Sequence, residues 1–165
     1  MEKEAASIEL PKIIYEKIQE RGLDIEDFIM YTLMSIMQLD PSELAKARLE
    51  LIMKYLNEAK EYIDKGDSVQ ASEELYNVME ECIKALAGKY NLPEYQDAVK
   101  EGRWSTYLLG EAARLLSMVL NEPRINDAWS RAYGLHVWGF HEGKYGVDYV
   151  KIDSPHVEWL ANYTV

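Results

Sequence analysis

One stretch near the C-terminal end of the chain carries side chains that could do acid–base and phosphate chemistry. Residues 131–143 read R-A-Y-G-L-H-V-W-G-F-H-E-G, and they hold two of the three histidines in the sequence. An imidazole can take up or release a proton near neutral pH, and a guanidinium can hold a phosphate and its developing charge. Arg131 and His136 could therefore support RNA cleavage without a metal, with the imidazole acting on the 2′-hydroxyl or on the leaving oxygen.

The spacing of this pair leaves a second interpretation open. In a regular α-helix, positions five apart are separated by about 140° around the axis and about 7.5 Å along it. The arginine could still bend towards His136, particularly where two chains meet around a twofold axis. Alternatively, His136 is a core histidine bonded to a carbonyl, and Arg131 pairs with Asp127 four residues earlier. The second interpretation is supported by a stripe of large or small apolar positions on the same helix: Trp129, Ala132, Tyr133, Gly139 and Phe140.

Other groupings of polar residues give weaker predictions. His136, His141 and Glu142 could be metal ligands, but no second cluster at metal-ligand spacing accompanies them. We therefore expect no metal and no cofactor. The sequence contains no glycine-rich phosphate loop, no G-x-S-x-G motif and no Cys–His pair. Covalent catalysis has no candidate nucleophile.

Charged side chains also follow the helix that begins after Asp67. Glu73 and Glu74 lie on the same helix as Lys84. We interpret these charges as a solvated face, although Glu73 could line a cleft.

Hydrophobic periodicity predicts that almost everything after residue 40 is helical. Proline, glycine and capping residues divide this region, and the sum is an all-α domain over residues 41–165, built as an antiparallel four-helix bundle. The four long predicted helices are 41–65, 67–87, one after Gly102 that carries Trp104 and ends before Asn121, and one from about Asn126 to His141. Short helices are predicted at 93–100 and from Ser154-Pro155 through Trp159.

Residues 1–40 read as a strand followed by two helices. The run A-S-I-E-L-P (6–11) alternates apolar and polar residues, which predicts a short strand with Ile8 and Leu10 facing inward. This order resembles a ribbon-helix-helix module, and we expect a unit that dimerises or packs on the bundle. The outward strand positions would be Ser7 and Glu9, and because a carboxylate facing phosphates is unfavourable, DNA binding is not expected.

Composition limits the partners and the compartment. The net charge is −11, so any nucleic acid must bind at a local basic spot. Cys82 is the one cysteine, which excludes an intrachain disulfide and suits a reducing cytoplasm. The longest nearly apolar stretch, residues 28–37, is about half a membrane span. We expect a cytoplasmic protein that does not cross a membrane.

Two stretches of sequence and a tryptophan between them together resemble a known family. They are G-D-S-V-Q-A-S-E-E-L-Y-N-V-M-E-E-C-I-K-A-L-A (66–87), then Trp104, then A-W-S-R-A-Y-G-L-H-V-W-G-F-H-E (128–142). This pattern looks like the archaeal PaREP family, which is similar to the HEPN superfamily of helical bundles.

The resemblance implies a homodimer, often a metal-independent endoribonuclease of toxin–antitoxin or defence systems, with an R-x4-6-H motif at the dimer interface. That motif corresponds to Arg131 and His136 here. An antitoxin or a nucleotidyltransferase-like protein would be the expected protein partner, and RNA or a nucleotide the expected ligand. Active members often carry Asn, Asp or His directly after the arginine, whereas this chain has Ala132. The alternative is a non-catalytic module that binds nucleotides or proteins.

Overall fold

The computed structural model describes residues 6–165, and every regular element in that range is helical. The elements are α1 (Lys12–Glu20), α2 (Ile25–Met37), α3 (Pro41–Lys65), α4 (Ser68–Lys89), α5 (Pro93–Glu101), α6 (Thr106–Val119), α7 (Arg124–Gly134), a π-helix (Leu135–His141) and α8 (Val147–Thr164).

Several helix ends form where capping residues predict them. The side chain of Asp24 accepts a hydrogen bond from the Asp27 amide at the start of α2, and Asp40 caps α3 in a complete capping box with Glu43. Gly66 ends α3 with a φ of 75°, a left-handed conformation that glycine adopts without steric cost. The chain then turns at Asp67, which caps α4, so α3 and α4 are joined by a tight turn.

The helix α4 is the centre of the fold. It packs against α3, α6, α7, α8 and the π-helix, and thirteen of its residues are buried. The core around it combines large aliphatic side chains with small residues that let helices approach closely, among them Ile52, Ala59, Ala71, Leu75, Met79, Ile83, Leu109, Ala112, Leu116, Ile125, Ala128, Leu135, Val150 and Leu160.

The predicted N-terminal strand is wrong. Residues 6–11 form no strand, and Ile8 is 74% exposed rather than facing inward. A strand needs a neighbouring strand to receive its hydrogen bonds. Every other regular element between residues 6 and 165 is a helix, so residues 6–11 have no such neighbour in the described part of the chain.

The prediction for the C-terminal region was correct in helix content but wrong in two details. The fourth predicted helix is α7 continued by the π-helix, so its geometry changes at Leu135. The terminal helix begins at Val147 rather than at Ser154, and Pro155 lies inside it. Pro155 and Lys151 are both exposed, so the Lys151 carbonyl that loses its helical partner can bond water instead.

Charged residues are buried between α2, α3 and α4, where the sequence predicted a solvated face. Arg48 donates through Nη1 to Asp27 (2.9 Å) and to Glu81 (2.7 Å), and Lys84 donates through Nζ to the same two carboxylates (2.9 and 3.3 Å). We call Asp27, Arg48, Glu81 and Lys84 the buried ion-pair cluster. At most 4% of any of them is exposed, which corrects the assignment of Lys84 to a solvated face.

Between residues 6 and 165, no helix is both long enough and apolar enough to cross a membrane.

Candidate functional site

The π-helix brings two histidines into contact. A π-helix places an extra residue in each turn and bonds residue i to residue i+5. His136 and His141 are five residues apart, and their Nε2 atoms lie 3.1 Å from each other. In a regular α-helix the same two positions would point in different directions. The change of helix type at Leu135 therefore creates this histidine pair.

Glu73 on α4 holds the other side of His136. Its Oε2 lies 3.2 Å from Nδ1 of His136. A carboxylate accepts hydrogen bonds, so Nδ1 carries the proton and Nε2 is left with a lone pair. His141 then donates through its own Nε2 to the Nε2 of His136. Glu73, His136 and His141 thus form a continuous hydrogen-bonded chain, which we call the Glu73–His136–His141 relay.

The relay runs from two partly buried side chains, Glu73 and His136, to an exposed one, His141. The ring of His136 stacks on Tyr76 of α4, with centroids 4.0 Å apart, and its side chain is 20% exposed. Burial, followed by the charge of Glu80, raises the pKa of the Tyr76 phenol well above its ordinary value. Tyr76 therefore stays neutral and acts as a flat support for the imidazole. His141 is exposed, so solvent or a ligand can reach the outer end of the relay.

Arg131 takes part in a different interaction. Its Nη1 donates to Oδ1 of Asp153 on α8 at 2.8 Å, and the arginine side chain is 44% exposed. Within the described chain, no hydrogen bond joins Arg131 to His136 or to the predicted partner Asp127. The structure thus places both predicted site residues at least partly in solvent, but gives them separate partners.

The structure also bears on the interpretation of His136 as a core residue. Trp129, Ala132 and Gly139 are buried, as the apolar stripe predicts, but Tyr133 is 43% exposed. His136 bonds a carboxylate rather than a carbonyl. The stripe therefore packs the helix while its edge presents His136 to solvent.

Ala132 is completely buried. A polar side chain at position 132 would point into the core. Residue 132 therefore adds no polar group to the surface near Arg131.

Sequence reasoning found some members of the site and missed others. It named Glu73 only as a residue that could line a cleft, and it set His141 aside. Tyr76 and Asp153 were not singled out, because a tyrosine on a buried stripe and an isolated aspartate carry no local signal. The contact of His141 with His136 depends on the π-helix, which a search for a 3.6-residue period cannot detect.

No group of three or more His, Cys, Asp and Glu side chains surrounds a common point suited to a metal ion in residues 6–165. In this region the imidazoles of His136 and His141 present two facing nitrogen atoms.

Comparison with solved structures identifies a similar protein from Sulfolobus solfataricus. The crystal structure of this structural-genomics target, SsR10, matches with 38% sequence identity and a TM-score of 0.63, covering 69% of this chain and 92% of the other. A solution structure of SsR10 matches with 39% identity and a TM-score of 0.62, covering 70% of this chain and 88% of the other. No curated protein matches significantly.

The match to a family model covers the site. The model of the archaeal PaREP1/PaREP8 family matches residues 47–161, which include Glu73, Arg131, His136, His141 and Asp153. Since this span is more than half of the chain, the protein belongs to the archaeal PaREP1/PaREP8 family.

Proposed function

We propose that the protein is a HEPN-like bundle that acts as a metal-independent endoribonuclease of a toxin–antitoxin or defence type. In this proposal His136 is the general acid and base, and Arg131 binds the phosphate. The observation that carries it is the hydrogen bond from His136 Nδ1 to Glu73 Oε2, at 3.2 Å. A carboxylate in this position fixes the tautomer of an imidazole and stabilises the imidazolium that forms when the ring takes a proton.

The proton would move through Nε2 of His136. This atom would take the proton from a ribose 2′-hydroxyl as the oxygen forms a bond to phosphorus. The bond from phosphorus to the 5′-oxygen would break, and that oxygen would receive a proton from the imidazolium or from water. The contact with His141 at 3.1 Å must open for substrate to reach Nε2, and the exposure of His141 supports such a movement.

Arg131 would exchange one anionic partner for another. It now donates to Asp153 through Nη1, and a guanidinium carries five N–H donors. A phosphate could displace Asp153 or share the guanidinium with it. Because Arg131 and His136 have separate partners in one chain, the proposal includes a homodimer in which two copies of each residue face one cleft. Two exposed aromatic residues of the same helical segment, Tyr133 and Trp138, suit such a contact.

The test is cleavage of single-stranded RNA by the chelator-treated full chain, beside a superfamily ribonuclease that cuts under the same conditions. We expect His136→Ala to lower the rate about 10²- to 10⁴-fold, because it removes the proton-transfer group. Glu73→Gln should lower it less. The matched control is His156→Ala, which removes the partly buried third histidine on α8. RNA that remains uncut, or an unchanged rate for His136→Ala, would contradict the proposal.

A non-catalytic module that binds nucleotides or proteins is the second candidate. It is favoured by the buried Ala132, which leaves the site without the polar residue of active relatives, and by the ion pair that Arg131 already makes. Equilibrium binding of the same RNA and of nucleotides, measured beside the cleavage assay, separates the two. Saturable RNA or nucleotide binding that weakens in Arg131→Ala, without any cleavage, would support this candidate and contradict the first.

A further inference from the structure

We infer that His136 and His141 form a binding site for one divalent transition-metal ion, of which Zn²⁺ is the probe used below. Their Nε2 atoms face each other at 3.1 Å. Zinc binds imidazole nitrogen at about 2.0–2.1 Å, so two nitrogens on one tetrahedral ion lie roughly 3.3 Å apart. The ion would replace the proton between the two rings with little movement of either side chain.

Glu73 supplies the outer part of the site. Histidines that bind metals commonly donate their second ring N–H to a carboxylate, which orients the ring and increases its basicity. His136 has this arrangement, because Nδ1 faces Glu73 at 3.2 Å while Nε2 faces His141. The stacking of His136 on Tyr76 also limits rotation of the ring. One of the two ligands is therefore held in position before any ion arrives.

The site is open and incomplete, which determines what it can bind. His141 is exposed, and two protein nitrogens leave further coordination positions for water or a ligand. Imidazole ligands favour Zn²⁺, Cu²⁺ and Ni²⁺ over Mg²⁺ and Ca²⁺, which prefer oxygen. We expect saturable binding of Zn²⁺ and selectivity against Mg²⁺. Cys82 does not compete, because it is buried.

The inference does not depend on the proposed nuclease activity, since binding is measured without any substrate. Both proposals assign a role to the same atom, Nε2 of His136. An ion there would occupy the lone pair that RNA cleavage requires, so Zn²⁺ should inhibit cleavage by a protein that is active after chelator treatment. If the protein binds Zn²⁺ but does not cleave RNA, the metal-site inference is supported and the proposed nuclease function is contradicted.

The experiment is a calorimetric titration of the untagged, chelator-treated full chain with Zn²⁺ in millimolar Mg²⁺. We expect one ion per chain. His136→Ala and His141→Ala should each weaken binding at least 10-fold, and Glu73→Gln about 10- to 100-fold. The control His156→Ala should bind as the parent does. Lowering the pH should also weaken binding, because a protonated imidazole has no lone pair for the ion.

Three results would overturn the inference. The first is the absence of saturable Zn²⁺ binding in the folded parent. The second is binding that survives His141→Ala, which is the decisive variant because an exposed side chain can be removed without loss of the fold. The third is binding that millimolar Mg²⁺ abolishes or that differs from one ion per chain, which would indicate general attraction to an acidic surface or an ion held between chains.

Discussion

At the scale of single residues, the contacts of the buried ion-pair cluster explain why the pKa of Asp27 is lowered whereas the pKa of the adjacent Glu80 is raised. Burial tends to raise the pKa of Asp27, but Lys84 and Arg48 contact it directly and hold its pKa below the ordinary value. Glu80 lies 3.5 Å from Lys84, which already contacts Asp27 and Glu81. Burial, offset in part by Lys84, raises the pKa of Glu80 to about 7. Three carboxylates thus share two cations, and Glu80 is the one that takes up a proton near neutral pH.

This difference predicts how stability depends on pH. A raised pKa means that the folded state holds the proton more tightly than the unfolded state. The resulting stabilisation is complete below the ordinary pKa of 4.5 and is lost as the pH rises to about 7. Glutamine does not ionise, so the Glu80→Gln variant lacks this loss of stability with rising pH. The free energy of unfolding of the variant, relative to the parent, should therefore rise by about 1 to 3 kcal/mol between pH 5 and pH 8. Urea unfolding at both pH values measures it.

The control for this prediction is Glu61→Gln, an exposed glutamate on α3 that pairs loosely with Lys65. Its difference from the parent should change little with pH. If Glu80→Gln followed the same flat course, the explanation by three carboxylates and two cations would be incorrect.

At the scale of the elements, the π-helix depends on a close approach to α4 at one glycine. A Cβ atom on Gly139 would lie 2.7 Å from the Cβ of Ser72, which is buried on α4. Because the Cβ of Ser72 is fixed to the backbone of α4 and cannot rotate away, Gly139→Ala should push the π-helix away from α4. We expect a loss of about 1–3 kcal/mol in the free energy of unfolding, as is typical of overpacking. Chemical denaturation measures this loss, and Zn²⁺ binding should weaken in parallel.

A neighbouring glycine is the matched control. A Cβ on Gly134 would meet only the Tyr145 hydroxyl, at an ordinary distance of 3.7 Å. Gly134→Ala should therefore be neutral or stabilising by up to about 1 kcal/mol, because alanine favours a helix. Equal destabilisation by both substitutions would show that the contact with Ser72 is not the cause.

The positions and ends of the helices could be predicted from the sequence in part. Helix ends follow local chemistry, since the side chains of Asp24 and Asp40 cap α2 and α3 and Gly66 ends α3. Most failures were non-local; the exception is the start of α8, where the local Ser154-Pro155 signal was misleading. A strand was predicted at 6–11 without a partner strand, and a uniform 3.6-residue period was assumed beyond Leu135. Lys84 was assigned to solvent because the periodicity of α4 does not show that Asp27, 57 positions away on α2, covers this face of the helix.

At the scale of the whole molecule, the buried ion-pair cluster joins the N-terminal helices to the rest of the protein. Asp27 lies on α2, Arg48 on α3, and Glu81 and Lys84 on α4. Tyr31 of α2 extends the connection, because its hydroxyl accepts hydrogen bonds from Arg48 Nη2 (3.0 Å) and from Trp104 Nε1 (2.7 Å). Most other large apolar side chains of α1 and of the end of α2 are exposed, among them Ile13, Ile14, Leu33, Ile36 and Met37. The polar contacts therefore have an unusually large share in holding α2 in place.

Removing the charge of Asp27 should release α2 rather than unfold the protein uniformly. Asp27→Asn removes one of the three carboxylates that face the two buried cations, and it is the one that contacts both Arg48 and Lys84 at 2.9 Å. Loss of one partner from a buried ion pair typically costs about 3–5 kcal/mol. The core around α4 does not contain Asp27, so the cost should appear first where α2 meets α3 and α4. Hydrogen exchange should accelerate in residues 12–37 more than in residues 68–89. Glu20→Gln, which breaks the exposed pair with Lys17, should leave exchange in both segments unchanged. Equal acceleration of both segments in Asp27→Asn would mean that the N-terminal helices and the core around α4 unfold as one cooperative unit.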